Sequence, residues 1–171
     1  MADDATMTFN ALILPDEIAK TLTGLTYAYT PADTTEGWYY KIVDVTTTSG
    51  NLISTETFLQ KGTTAAGVDV GATMPAIVVS DKVKFLFIKH TGYRDNGSTA
   101  NTADSIYICF DGGTAAHDLE DAVEIGPGES WFAKFNGVTV DDIHVISGVK
   151  AAGGTGGNKI QAIVAAVIDD L

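Results

Sequence analysis

Three histidines, one cysteine and a scatter of carboxylates are the side chains in this sequence with chemistry to offer. His90 closes an apolar run, His117 sits in a polar segment, and His144 lies inside DIHVIS (142–147). They are far apart in the chain. No HxH pair or HxxxE spacing sets two ligands on one strand face, so no catalytic metal site is read from them. His144 alternates with Ile143 and Val145, which makes it a surface or interface residue. Cys109, the single cysteine, has no partner for an internal disulfide and lies in an apolar run with no basic neighbour to favour a thiolate. It reads as a buried small hydrophobe.

The other candidates are weaker. Asp118, Glu120 and Asp121, or Asp141 and Asp142, supply oxygens suited to Ca²⁺, but without EF-hand spacing or a calcium-binding repeat. GGTGG at 153–157 shares only its glycine content with a phosphate loop, because no Lys-Ser/Thr follows it. No GxSxG elbow is present, although a Ser/His/Asp triad is a three-dimensional arrangement that sequence leaves open. Tyr27, Tyr29, Trp38, Tyr39 and Tyr40 are a possible sugar-stacking platform of the kind β-sandwich lectins use; core and interface packing is the commoner fate of such residues. The expectation is a protein without cofactor or enzymatic activity.

Composition narrows the partners. The chain has 171 residues with 10 Lys plus Arg against 22 Asp plus Glu, a formal net charge of -12. Such a surface repels phosphate backbones, so nucleic-acid binding is not expected. A hydrophobic fraction of 45% is high for a soluble chain, yet no apolar run reaches the roughly 18 residues that suggest a membrane-spanning helix. Part of the apolar surface is therefore assigned to a subunit interface. Asp3 and Asp4 stand where an export signal carries positive charge, and ALIL is too short for its apolar segment, which predicts synthesis in the cytoplasm.

The elements that position these residues are strands. Leu25, Tyr27 and Tyr29 alternate with Thr26, Ala28 and Thr30, the period of a half-buried strand. Strands are also read at Trp38–Val45, at Leu52–Leu59 as its partner, at Val83–His90, Ile106–Phe110, Val123–Ile125, Trp131–Phe135 and Asp142–Ser147, and in the final KIQAIVAAVI (159–168). Met74–Ser80 is a further apolar run, and 62–73 and 92–104 read as loops, the second exposed and carrying the only arginine. Gly126-Pro127-Gly128-Glu129 is the tightest turn signal, inside a stretch from Ser105 to Phe135 that reads as two buried strands. PDEIAKTL (15–22) has the order of a first helical turn, and residues 1–20 read as an N-terminal arm before a single domain over 21–171. Short strands with turns every 8 to 15 residues describe an all-β, antiparallel sandwich or barrel. IYICF and AIVAAVI are apolar on both faces, which suits central strands of two stacked sheets, or a strand face covered by another subunit.

The text SIYICFDGG...AVEIGPGESWFAKFNGVTVDDIHVISG (105–148) resembles the C-terminal half of jelly-roll decoration, or cement, proteins of tailed bacteriophages. The resemblance covers the last third to half of the chain and lies in strand and turn texture. It implies a two-sheet β-sandwich of jelly-roll type, usually a homotrimer, that binds the major capsid protein on the outside of the virion and is made in the host cytoplasm. It further implies capsid or subunit contacts through the arm and exposed loops, here Phe9, Leu12, Ile13, Tyr93 and Arg94, with His144. The alternative is a carbohydrate-binding β-sandwich of a phage tail fibre or lectin type.

Overall fold

The strand Ile160–Asp169 lies at the middle of the larger sheet and shows why the fold is a sandwich. The computed structural model describes residues 5–13, 20–29, 36–55, 60–61, 76–117, 122–149 and 157–169, with 5–13, 20–29 and 60–61 described by their backbone. In chain order the strands are β1 (Ala5–Ile13), β2 (Lys20–Tyr29), β3 (Glu36–Val45), β4 (Gly50–Asn51), β5 (Gln60–Lys61), β6 (Lys82–Arg94), β7 (Ser105–Cys109), β8 (Val123–Ile125), β9 (Ser130–Lys134), β10 (His144–Gly148) and β11 (Ile160–Asp169). All pairings are antiparallel. They form a five-stranded sheet in the order β5-β3-β11-β6-β9, a four-stranded sheet in the order β4-β10-β7-β8, and a separate hairpin of β1 with β2.

β11 pairs along its whole length with β3, from Ile160↔Val45 to Asp169↔Glu36, and on its other side with β6. Ile160, Ala162, Val164, Ala166 and Ile168 alternate towards the core and are fully buried. They meet Val83, Leu86 and Ile88 of β6, Tyr39 and Val45 of β3, and Ile106, Ile108 and Val145 from the smaller sheet in one cluster. Each of the valine, leucine and isoleucine side chains contributes about 1.5–3 kcal/mol through removal from water, so this layer is the main support of the fold. Ile53, Ile77 and Ile143, all outside the strands, plug the same core.

The smaller sheet is centred on β7, whose five residues are all buried. Ile106 and Ile108 face the sandwich interior, while Tyr107 and Cys109 meet Ala115 and Ile146 in a second cluster on the opposite side. Both central strands are thus the ones the sequence marks as apolar on two faces.

The stretch from Ser105 to Phe135 is divided between the two sheets: β7 and β8 belong to the smaller, β9 to the larger. The Gly126–Glu129 turn makes that crossing. Glu129 N–H donates to Gly126 O at 3.0 Å, and Gly128 holds φ at +81°, the positive value that the third turn position after a proline requires. Of the two strands expected to be buried, only β7 is; β9 is an edge strand, half-buried or exposed along its length. Phe110 then stacks on Trp131 at 5.2 Å and lies 5.2 Å from Phe135, tying the end of β7 back to β9 across the sandwich.

Three other expectations change. Lys20, Thr21 and Leu22 are strand, paired with Ile13, Leu12 and Ala11, where a helical turn was expected; Thr21 and Thr23 are β-branched and the pairing prevails over the helix-start signal. Pro15–Ala19 lie outside the described residues. Leu52 and Ile53 are buried outside any strand, residues 56–59 lie outside the described residues, and Gln60–Lys61 pairs with β3 at Trp38 and Gly37. The 92–104 segment is exposed at 93–100, 102 and 103, as expected, but β6 continues to Arg94, and Asn101 and Asp104 are buried. The expected loop at 62–73 and the 151–156 part of the glycine-rich tip lie outside the described residues.

Candidate functional site

The three histidines sit apart, each with its own surroundings. His90 is wholly buried at the end of β6's inner face. Its Nδ1 accepts from Gly92 N–H at 2.9 Å, so Nε2 carries the proton and donates to Asp104 O at 3.0 Å. Burial pushes this imidazole below the usual histidine range, while the bond to the Asp104 carbonyl and the Asp104 and Glu129 carboxylates pull it back up. Asp104 Oδ2 in turn accepts from Asn101 Nδ2 at 2.5 Å and Asn158 Nδ2 at 2.9 Å. Ser147 Oγ donates to Asn158 O at 2.8 Å. A serine, a histidine and an aspartate therefore occur in one buried polar seam, but each functional atom is already bonded to backbone or amide groups. The seam fastens the 101–104 segment, β10 and the start of β11 together; it is structural.

His117 reaches Ser147 O at 3.1 Å and lies edge-on to Tyr107 with ring centroids 5.3 Å apart. A side chain at Gly148 would collide with its ring, which explains the glycine there. His144 is half-buried at the start of β10, paired with Cys109 and Asn51. Among the described residues no group of three His, Cys, Asp or Glu side chains is arranged to hold a metal ion. Asp142 caps the turn at Val140–Asp142 by accepting from Thr139 N–H at 2.7 Å and Thr139 Oγ1 at 2.8 Å, and Asp141 accepts from Asn51 Nδ2 at 3.3 Å. Asp118, Glu120 and Asp121 lie outside the described residues. Cys109 is buried, its Sγ 3.2 Å from Gly113 O.

The aromatic platform does not assemble on β3. Tyr39 faces the core, Trp38 packs edge-on against Phe85 at 6.2 Å, and only Tyr40 stands out into solvent. Tyr27 and Tyr29 belong to β2, described by its backbone.

The residues expected at contacts occupy three separate places. Phe9, Leu12 and Ile13 lie on β1, Tyr93 and Arg94 are exposed at the end of β6, and His144 begins β10.

What does make a surface is the outer face of the five-stranded sheet. The register sets Trp38 beside Val167 and Phe85, Tyr40 beside Ala165, Phe87 and Phe132, and Ile42 beside Ile163 and Lys89. These rows are apolar nearly throughout. Phe85 and Val167 are buried within a cluster that includes Trp38, Phe87 and Phe132, whereas Tyr40 and Ile42 remain 48% and 53% exposed. A sheet face that looks away from its own core normally alternates to polar residues; this one does not. Scattered exposed hydrophobes are ordinary, but contiguous ones mark a contact surface. The signal in the sequence was the apolar outer set of β3 and β11, Trp38, Tyr40, Ile42, Ile163, Ala165 and Val167, which two-sided apolarity announced without telling a covered face from a buried strand.

Compared with protein-family models, curated proteins and solved structures, the chain matches none. Its function is argued from this surface.

Proposed function

We propose that this chain is a structural virion protein that decorates the outside of a tailed-phage capsid, binding the major capsid protein and cementing the shell as a closed homo-oligomer, a trimer in the simplest form. The observation that carries this reading is the apolar outer face of the five-stranded sheet, with Tyr40 and Ile42 open to solvent in the single chain. An assembly protein needs such an area, because interface stability comes from burying it. The sandwich suits the role as a rigid body that holds its exposed segments in fixed positions, and a jelly-roll winding of its two sheets belongs to the same reading. The acidic balance of -12 would disfavour capture by packaged or free DNA.

Self-association occupies the sheet face in this reading, and the end of β6 with Tyr93 and Arg94 is the segment offered to the capsid protein. The test is binding to heads of the virus that encodes the chain, measured by co-sedimentation and by electron microscopy of the decorated particle. Saturable binding at symmetric sites outside the shell is the expected result. An oligomer that leaves intact heads bare would overturn the reading.

A further inference from the structure

Two asparagines in this chain precede a glycine, Asn96 before Gly97 and Asn136 before Gly137, and both pairs are exposed. The dipeptide has chemistry of its own. The backbone nitrogen of the glycine can attack the carboxamide carbon Cγ of the asparagine, and glycine hinders this least because it has no side chain beside that nitrogen. The fold treats the two pairs in opposite ways.

Asn96–Gly97 is held on both sides of the reaction. Asn96 Oδ1 accepts from Ser98 N–H at 3.0 Å and Thr99 N–H at 2.8 Å, the local turn that asparagine side chains favour, and its Nδ2 donates to Thr99 Oγ1 at 2.8 Å. The nucleophile is engaged as well, because Gly97 N–H donates to Arg94 O at 2.9 Å. These four hydrogen bonds must open before the nitrogen reaches Cγ.

Asn136–Gly137 carries none of these restraints. Phe135 N–H donates to Lys84 O at 3.0 Å and Val83 N–H donates to Val138 O at 2.9 Å, so the adjacent residues Val83 and Lys84 of β6 are matched by Val138 and Phe135. Asn136 and Gly137 lie between those anchors as extra residues, pushed out of the ladder as a bulge. Among the described residues neither the Asn136 carboxamide nor the Gly137 N–H makes a hydrogen bond. Nothing lies within 4 Å of the place a Cβ would take on Gly137, whose φ is +115°.

We propose that Asn136 is a self-modification site: in the folded chain it converts to aspartate and isoaspartate, while Asn96 is spared. The Gly137 nitrogen loses its proton to solvent base and bonds to Asn136 Cγ; the Cγ–Nδ2 bond breaks and ammonia leaves, closing a succinimide ring. Water then adds to the ring. Opening at Cγ gives aspartate, and opening at the backbone carbonyl gives isoaspartate, with the chain routed through the side chain. Water is the co-reactant, and nothing is oxidised or reduced. Either product adds a negative charge to a chain of net charge -12. Isoaspartate also lengthens the backbone between the Lys84 and Val83 anchors. The reaction needs no partner, so it stands or falls apart from the decoration reading.

The full chain is to be incubated in mildly alkaline buffer, folded and, in parallel, unfolded in guanidinium. Peptides spanning each asparagine are followed by mass spectrometry, with fragmentation that separates isoaspartate from aspartate. Unfolded, the two asparagines are expected to react at similar rates. Folded, Asn136 is expected to stay within about threefold of its unfolded rate and Asn96 to fall at least about tenfold behind it, since each hydrogen bond that must open slows the reaction by a factor of a few. Asn136→Gln is expected to abolish conversion at that position, because the longer side chain must close a larger ring, and to leave the rate at Asn96 unchanged. Equal rates at the two sites in the folded chain, Asn136 retarded as strongly as Asn96, or conversion confined to Asn96 would overturn the proposal.

Discussion

His90 donates its Nε2–H to the carbonyl of Asp104 at 3.0 Å, and because its Nδ1 accepts from Gly92 N–H at 2.9 Å, the buried ring is held as one neutral tautomer. Protonation would place a hydrogen on Nδ1 facing the Gly92 N–H and break that bond. Burial depresses the ring's folded-state pKa, so in the interval below the ordinary histidine value the unfolded chain binds a proton that the folded chain refuses. Stability is accordingly full above a pH of about 6.5 and declines as pH falls from there to the lowered folded value. The thermal midpoint of the wild type should drop between pH 7.5 and 5.5, and His90→Asn, although less stable at pH 7.5, should show a visibly shallower drop. Parallel profiles for the two proteins would show that this ring is not the proton acceptor.

The same seam predicts a position-specific loss at Asn101. Its Oδ1 accepts from Asp104 N–H at 2.9 Å and Ala103 N–H at 3.1 Å while its Nδ2 donates to Asp104 Oδ2. Asn101→Ala leaves buried partners unsatisfied, at a cost of about 1–3 kcal/mol. Urea unfolding should report that loss, and amides of the 95–100 turn should exchange faster. A shift below about 0.5 kcal/mol would mean that water replaces the side chain.

How far the sequence foretold this arrangement depends on which residues are asked. Alternation and β-branching were enough to place β3, β6, β7 and β11, because those strands are long or buried and their side chains face packing that agrees with local preference. The division of Ser105–Phe135 between two sheets was not legible, since a Gly-Pro-Gly turn fixes a change of direction and says nothing of which sheet receives the next strand. The burial of Asn101 and Asp104 was hidden for a related reason: in sequence they belong to a polar, turn-rich segment, and only the positions of His90 and Asn158 give them partners inside. The apolar outer face was half legible. Two-sided apolarity in AIVAAVI was plain, but the adjacency of Tyr40 to Ala165 and Phe87 is a matter of register between strands more than 40 residues apart in the chain.

The crossing turn can be tested at its strained position. Gly128 has φ of +81°, and open space surrounds the place where a Cβ would sit. Gly128→Ala thus isolates backbone strain from collision and should cost about 1–2 kcal/mol. Gly50→Ala is the control, with nothing within 4 Å of the added carbon and no positive φ, and should fall within about 0.5 kcal/mol of the wild type. Equal effects at the two sites, measured by denaturant midpoint at constant m-value, would count against the strained turn.

Ile88 and Ile42 separate the two roles of the large sheet. Ile88 is fully buried on the inner face of β6, and Ile42 is 53% exposed on the outer face of β3. Ile88→Ala removes core contacts and leaves a cavity, so it should lower unfolding free energy by about 2–5 kcal/mol at any protein concentration. Ile42→Ala should change stability by less than about 1 kcal/mol in dilute solution, where a half-exposed methyl-bearing side chain has little to lose. If the proposed association forms at high concentration, its penalty should grow there, because mass action adds the lost association to the apparent stability. Melting curves of both variants across a hundredfold range of concentration provide the comparison. A concentration-independent penalty at Ile42 would assign that residue to the fold of the single chain and remove it from the proposed contact between copies.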